Sequence, residues 1–278
     1  MNLVSTQWLA DNKDSVVVLD GSWHMPHAKR DPKQEYLNAH IQNARYFDID
    51  AIKDLSNSLP HMLPSPEFFA RSVGELGISQ EDKLVVYDTA GIFSSPRVYW
   101  TFKAFGHDNI AILDGGLPKW LQEGRPVEAG QVDVEPKVYK PKFQPQLVRN
   151  MQQVVQNIEK GADGELVIDA RPRGRFNGVD PEPRAGLSSG HIPNSVSLPF
   201  SEVIDPEKRV MRSPQELARL FKDLGIDVNQ KIITSCGSGV SAAVIYLALE
   251  IAGAKNLALY DGSWTEYASH PENKISKL

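Results

Sequence analysis

The sequence predicts an α/β protein built from two tandem copies of one domain, each a mostly parallel sheet flanked by helices. Three observations carry this reading. The first is a repeat: five blocks recur in one order at offsets of 147 to 151 residues. Val16-Val-Val-Leu-Asp20 answers Leu166-Val-Ile-Asp169, and Ala39-His-Ile-Gln-Asn43 answers Gly190-His-Ile-Pro-Asn194. Ser65-Pro-Glu-Phe-Phe answers Ser213-Pro-Gln-Glu-Leu, Lys83-Leu-Val-Val-Tyr-Asp88 answers Lys231-Ile-Ile-Thr-Ser-Cys236, and Leu113-Asp-Gly115 answers Tyr260-Asp-Gly262. A period near 150 is too long for a solenoid and indicates a duplicated domain. The second is that short apolar runs alternate with helical patterns. The third is a Pro-rich stretch between the copies.

Taken in order, Val16–Leu19, Leu84–Tyr87, Leu166–Ile168 and Ile232–Thr234 are brief runs rich in β-branched residues, as expected of strands buried on both faces of a parallel sheet. Ser65-Pro66-Glu67 and Ser213-Pro214-Gln215-Glu216 each supply an N-cap Ser, Pro at the first helical position and acidic or amide residues in the first turn, and each predicted helix stops near a Leu-Gly. Between the copies, Pro126, Pro136, Pro141 and Pro145 interrupt a segment with little apolar periodicity. The predicted organisation is a first domain over 1–124, an extended linker over 125–149 and a second domain over 150–278.

Composition narrows the function. The chain has 278 residues, 23% of them charged and 41% hydrophobic, a net charge of −5 and one cysteine. Disordered, fibrous and disulfide-stapled classes are excluded. The negative balance offers no bulk attraction to nucleic acid or to an anionic membrane, so neither is an expected partner. The most apolar run, Ala242–Ile251, is far shorter than a membrane span. The N-terminal residues lack a basic and apolar leader pattern and the lone cysteine cannot form an internal disulfide, so a cytoplasmic location is expected.

Where one copy differs from the other, the shared fold cannot be the reason for the residue. The sharpest difference is Asp88 against Cys236, each placed directly after a buried strand run, where open α/β sheets bind ligands. Cys236 opens the sequence Gly237-Ser238-Gly239-Val240-Ser241-Ala242, a Gly-rich turn leading into an apolar helical stretch. Such a turn lets amide N–H groups converge on an anion, and the helix adds the positive end of its dipole, so a thiolate is favoured over a thiol. A lone cysteine can instead be a small buried hydrophobe. Position favours a nucleophile here. A phosphatase loop would place Arg six residues after the cysteine, and that residue is Ala242.

The Cys236-to-Ala242 loop, the paired His-Ile blocks and the Asp-Gly-Gly and Asp-Gly-Ser turns closely resemble the two-domain rhodanese-type sulfurtransferases, and among them those that use 3-mercaptopyruvate. The resemblance covers almost the whole chain and implies two rhodanese-like domains, the first non-catalytic with Asp88 in place of Cys. Ser241 departs from the Thr usual in that loop, a change between two small hydroxyl residues. The resemblance implies that Arg175 and Arg184, in the charged loop Arg173-Gly-Arg-Phe…Glu182-Pro-Arg184, bind the substrate carboxylate and carbonyl, a task suited to planar forked donors. Gly237, Gly239, Val240 and Ser241 would line the substrate loop. Cys236 would take sulfur from 3-mercaptopyruvate as a persulfide, release pyruvate, and pass the sulfur to a small thiol, a protein dithiol or cyanide. No metal or organic cofactor is implied.

The resemblance further implies a proton-handling group of Ser238 with His40 and an acidic residue, Asp31 being the best-placed candidate. The repeat alone reads His40 differently, because its counterpart His191 makes a shared structural role the simpler account. His61, in His61-Met-Leu-Pro64, is expected to have a structural or access role at best. His24 and His27 flank a Pro and read as a solvated loop rather than a metal pair. Asp114 and Asp261 fit turn chemistry in both copies. Thiosulfate:cyanide sulfur transfer is the alternative activity, disfavoured by the uncharged loop beside the nucleophile. A non-catalytic persulfide relay is the alternative class, disfavoured by the two arginines.

Overall fold

The computed structural model describes residues 2–278, which divide into two compact units. The first unit holds residues up to Ser56, Leu63–Gln144 and Pro206–Met211, and the second holds Asn57–Met62, Pro145–Asp205 and Arg212–Leu278. Each half of the chain thus contributes one short segment to the unit built mainly by the other half. The two segments are repeat-equivalent, since His61 and Arg209 lie 148 residues apart in the Ser65/Ser213 register. Both adopt left-handed backbone, φ 60° and 55°.

In the first unit the strands are β1 (Leu3–Val4), β2 (Val17–Asp20), β3 (His40–Ile41), β4 (Arg45–Tyr46), β5 (Leu84–Tyr87), β6 (Ile110–Leu113) and β7 (Val127–Glu128). Five form a parallel sheet in the order β1-β6-β5-β2-β4, and β3 pairs antiparallel with β7. Its helices are α1 (Thr6–Asn12), α2 (Pro32–Asn38), α3 (Pro66–Glu75), α4 (Ser95–Ala104) and α5 (Gly116–Gln122). In the second unit β8 (Val148–Arg149), β9 (Leu166–Asp169), β10 (Ser195–Ser197), β11 (Ile232–Ser235) and β12 (Leu257–Tyr260) form a parallel sheet in the order β10-β9-β11-β12-β8. Its helices are α6 (Met151–Glu159), α7 (Arg173–Asn177), α8 (Pro214–Asp223), α9 (Val240–Ile251) and α10 (Ser263–Ser269). Read from the opposite end, the second order is the first order, strand for equivalent strand. The α/β duplication expected from the sequence is what the two sheets show.

The four sequence-predicted strands are the central ones, and β5 and β11 are buried along their whole length. Their apolar runs lie under helices on both faces of the sheet. The helix starts also follow local chemistry. Ser65 Oγ accepts the Phe68 amide at 3.2 Å, and Ser213 and Glu216 form a reciprocal capping box. Helix α9 carries nine buried residues against β11 and β12, so its apolar run is core rather than membrane. Among the described residues no helix is long and apolar enough to cross a membrane.

The segment over 125–149, read from sequence as an extended linker, is mostly irregular and runs over the surface of the first unit before passing to the second. Up to Gln144 it belongs to the first unit, and from Pro145 to the second. Tyr139 is buried at 4% exposure with its ring edge-on to Phe69 and Phe102. Backbone bonds from Lys137 N to Gly74 O, Lys142 N to Phe105 O and Gln144 N to Ala104 O tie the segment along α3 and α4. A Cβ on Gly74 would stand 2.5 Å from the Lys137 carbonyl oxygen, so only glycine admits the strap there. One aromatic anchor in an otherwise polar stretch, together with backbone pairing, leaves no apolar periodicity to read.

Candidate active site

Strand β11 ends at Ser235, and the next four residues turn into α9. Cys236 is buried, and its Sγ accepts the Gly239 amide at 3.1 Å. Gly239 has φ 80°, a left-handed conformation that lets the turn swing its amide back onto the sulfur before the helix begins. The far side of the loop is pinned by α10: Trp264 N donates to Cys236 O at 2.9 Å, and Thr265 donates to Gly237 O through both its amide at 3.0 Å and its hydroxyl at 2.6 Å. Ser263, also at positive φ, gives its hydroxyl as acceptor to the Cys236 amide. With the Cys236 and Gly237 carbonyls engaged by α10, the Gly239 amide is turned toward the sulfur.

Two guanidinium groups lie in front of Gly237. A Cβ at that position would stand 3.5 Å from Arg175 Nη2 and 3.7 Å from Arg184 Nη1. Arg175 comes from the short helix α7, and Arg184 from the loop beyond it. Burial holds the Arg184 guanidinium below its usual range, Cys236 pulls it back up, and Arg175 pushes it down. Arg184 is therefore within electrostatic reach of both the nucleophile and the other arginine.

Behind the arginines runs a buried chain of charge. Asp169, at the end of β9, accepts Arg171 Nη2 at 2.6 Å, and Arg171 Nη1 reaches Glu182 Oε1 at 2.7 Å. Glu182 then binds Arg175 through Nε at 3.1 Å and through Nη2. Arg171 also donates to Gly190 O and stacks over the Trp264 ring at 4.1 Å. Asp169 and Arg171 are two residues apart, so that pair is local. Glu182, 2% exposed at its side chain, was not singled out; Glu-Pro-Arg spacing says nothing about which cation a carboxylate will face.

The surroundings of Ser238 differ from the expectation. Ser238 Oγ lies 3.2 Å from His61 Nδ1, which is also 3.3 Å from the Ser238 carbonyl oxygen. His40 instead bonds Tyr36 O through Nδ1 at 2.8 Å, stacks on the Tyr36 ring, and places Nε2 3.3 Å from Glu128 in the β3–β7 pair. Its repeat counterpart His191 does the same, bonding Phe176 O at 2.9 Å and stacking on the Phe176 ring. The two histidines make the same kind of contact, a bond to a backbone carbonyl and a stack on that residue's ring, which fits the structural reading of the repeat. Asp31 caps α2, accepting Gln34 N at 3.0 Å, and is exposed. One signal could have found His61: its repeat counterpart is Arg209, so it is a position where the copies differ, while His40 and His191 agree.

The equivalent loop of the first unit carries its own anion. Asp88 Oδ2 accepts Phe93 N, Ser94 N, Ser95 N and the Ser95 hydroxyl at 2.7 to 3.0 Å, and Oδ1 accepts Ala90 N at 2.9 Å. The carboxylate occupies the converging donors of its own loop. Of the remaining loop candidates, Val240 begins α9 and is buried, and Ser241 follows at partial exposure. Trp264 is fully enclosed, its indole N–H on Ser188 O.

Comparison with known proteins gives one consistent result. Residues 5–123 and 150–270 match the Rhodanese-like domain. The chain is 38% identical over 285 residues to 3-mercaptopyruvate sulfurtransferase of Mus musculus, covering 99% of this chain and 95% of that protein. It is 39% identical over 286 residues to thiosulfate sulfurtransferase of Rattus norvegicus, covering 99% and 95%. The crystal structure of SseA from Escherichia coli, described as a 3-mercaptopyruvate sulfotransferase of rhodanese fold, superposes with a TM-score of 0.86 at 37% identity over 94% of this chain and 98% of that one.

Proposed function

The chain belongs to the rhodanese family and is a sulfurtransferase, and from that premise we propose that Cys236 takes the outer sulfur of 3-mercaptopyruvate as a persulfide, releases pyruvate, and passes the sulfur to a thiol or cyanide. The observation that carries the donor assignment is the pair of guanidinium tips converging in front of Gly237, beside a loop that has no charge of its own. A small keto acid offers those tips a carboxylate and a carbonyl. The relatives include proteins named for thiosulfate, and thiosulfate is kept as the comparison donor.

The steps follow from the geometry. The Cys236 thiolate, its sulfur held by the Gly239 amide, attacks the donor sulfur. The new S–S bond forms as the C–S bond breaks, and the electron pair of the broken bond passes to the methylene carbon as an enolate. Arg175 and Arg184 hold the developing negative charge on the enolate oxygen. A proton delivered through Ser238 and His61 to that carbon completes pyruvate. The persulfide stays in the amide-lined loop until a second thiolate attacks its outer sulfur and restores Cys236. Such exchange requires reduced thiols, which suits a cytoplasmic location.

The test is intact-protein mass spectrometry after 3-mercaptopyruvate, with pyruvate measured in parallel. One added sulfur on Cys236 and an equal yield of pyruvate are expected, and Cys236→Ser abolishes both. Sulfur retained by the Ser variant, or pyruvate released without sulfur on the protein, overturns the assignment.

A further inference from the structure

With the thiolate itself set aside, the charges around the cysteine cancel in pairs, with one exception. Asp169 is matched by Arg171, and Glu182 by Arg175, all within hydrogen-bond distance and with both carboxylates almost wholly buried. Arg184 makes no ion pair with a carboxylate within 4 Å among the described residues, although Cys236, Arg175 and Glu182 all act on it at longer range. Arg184 therefore carries the one guanidinium charge that no carboxylate cancels, and only the Cys236 thiolate and the donor are left to meet it. Buried charge is favourable only when matched, so a site with one spare positive charge suits one negative charge better than two.

We propose that Glu182 is the residue that sets this balance and, through it, selects a monoanionic sulfur donor over a dianionic one. The proposal rests on the donor reading above. 3-Mercaptopyruvate carries one carboxylate charge, whereas thiosulfate carries two. Glu182 acts in two ways. Its carboxylate engages Arg175 Nε and Nη2, turning the guanidinium so that Nη2 stands over Gly237, and its charge cancels that of Arg175. Its second partner, Arg171, anchors it to β9 through Asp169 and to the Cys236 loop through the Trp264 ring. A residue that touches neither donor nor sulfur thus decides how much positive charge the donor meets. It is a positioning residue.

Glu182→Gln keeps the shape and adds one net positive charge. The introduced amide keeps one acceptor oxygen; with that oxygen on Arg171 Nη1 and Arg175 Nε, its NH2 end faces Arg175 Nη2 and cannot accept from it, so that donor is released toward the substrate. The preference should move toward the dianion. The experiment is calorimetric titration of pyruvate and of thiosulfate into Cys236→Ser protein, with and without Glu182→Gln, so that binding is read without chemistry. The ratio of thiosulfate to pyruvate affinity should rise about tenfold in the Gln variant, the size expected for one unit charge about 6 Å away at an effective dielectric near 40. In active protein the ratio of kcat/KM values for thiosulfate and 3-mercaptopyruvate should move the same way. Loss of affinity for both anions in equal proportion would mean that Glu182 only supports the fold, and overturns the proposal. Glu182→Asp, which shortens the arm and keeps the charge, should weaken both donors with the ratio held within about twofold. A tenfold change of ratio in the Asp variant would also overturn it, and this arm decides if the Gln variant fails to fold. Wild-type protein that binds pyruvate yet turns over no 3-mercaptopyruvate would sink the donor reading alone, leaving the anion ratio to judge Glu182.

Discussion

Asp20 provides a test of how the first domain changed after duplication. Its repeat counterpart Asp169 is paired with Arg171, but the residue at the equivalent position of the first copy is Ser22. Asp20 is left fully buried without a cation. Burial pushes its carboxyl up from an ordinary 3.8 to about 6; bonds from Ser22 and Tyr87 offset part of this, and the nearby Asp88 adds to it. An acid whose folded value is raised destabilises the protein where it is ionised. That penalty is full above about pH 6, shrinks as pH falls through 6, and is gone below about 3.8, where folded and unfolded chains are both protonated. The shift corresponds to about 3 kcal/mol.

Asp20→Asn removes the titration and keeps the shape, so its stability relative to wild type should improve by about 2.5 kcal/mol between pH 4 and pH 7.5. Using the difference between variants cancels the other carboxylates, including Glu35 and Asp82, whose partners hold them low and whose contributions are lost as pH falls. Urea unfolding followed by tryptophan fluorescence is the assay. Four of the five tryptophans, Trp8, Trp23, Trp100 and Trp120, report on the first unit. A difference that stays flat across this range would refute the reasoning, and would show that Ser22 and Tyr87 hold Asp20 as well as Arg171 holds Asp169.

Arg184→Ala should lower kcat/KM for 3-mercaptopyruvate by about 2 to 4 kcal/mol, the scale for removing one partner of a charged hydrogen bond in a closed site, with a smaller effect on thiosulfate; equal losses with both donors in steady-state assays would make the arginine structural. Ser238→Ala and His61→Gln should each cut turnover by about a hundredfold with melting unchanged, whereas His40→Ala should melt earlier and keep normal kcat in the folded fraction, losing a buried bond and a ring stack. The reverse pattern would return the catalytic role to His40. Asp88→Cys should weaken the first unit by about 2 to 4 kcal/mol, because four amides and a hydroxyl lose a charged acceptor, and should carry no second persulfide. Sulfur loading of two per chain by mass spectrometry would show that strand position alone makes a sulfur site.

Much of this protein was legible one residue at a time. The duplication shows as a repeat in the sequence itself, and the strand runs at Leu84–Tyr87 and Ile232–Thr234 and the Ser-Pro helix starts are local patterns, which suffice where the backbone satisfies itself within a few residues. The Cys236 turn belongs with them, because the bond from Gly239 to the sulfur spans only three residues. The tertiary structure alone decided which histidine faces Ser238, which carboxylate faces Arg175, and which unit owns Asn57–Met62 and the strap through Gln144. Those contacts join residues up to 177 positions apart, and nothing periodic marks either end. A buried imidazole or carboxylate takes the partner that folding brings within reach, because leaving it unpaired costs several kcal/mol. Sequence spacing carries no record of that partner. The same demand put Asp88 on its own loop amides, Glu182 between two arginines, and His61 beside the serine of a unit that most of its half of the chain does not build.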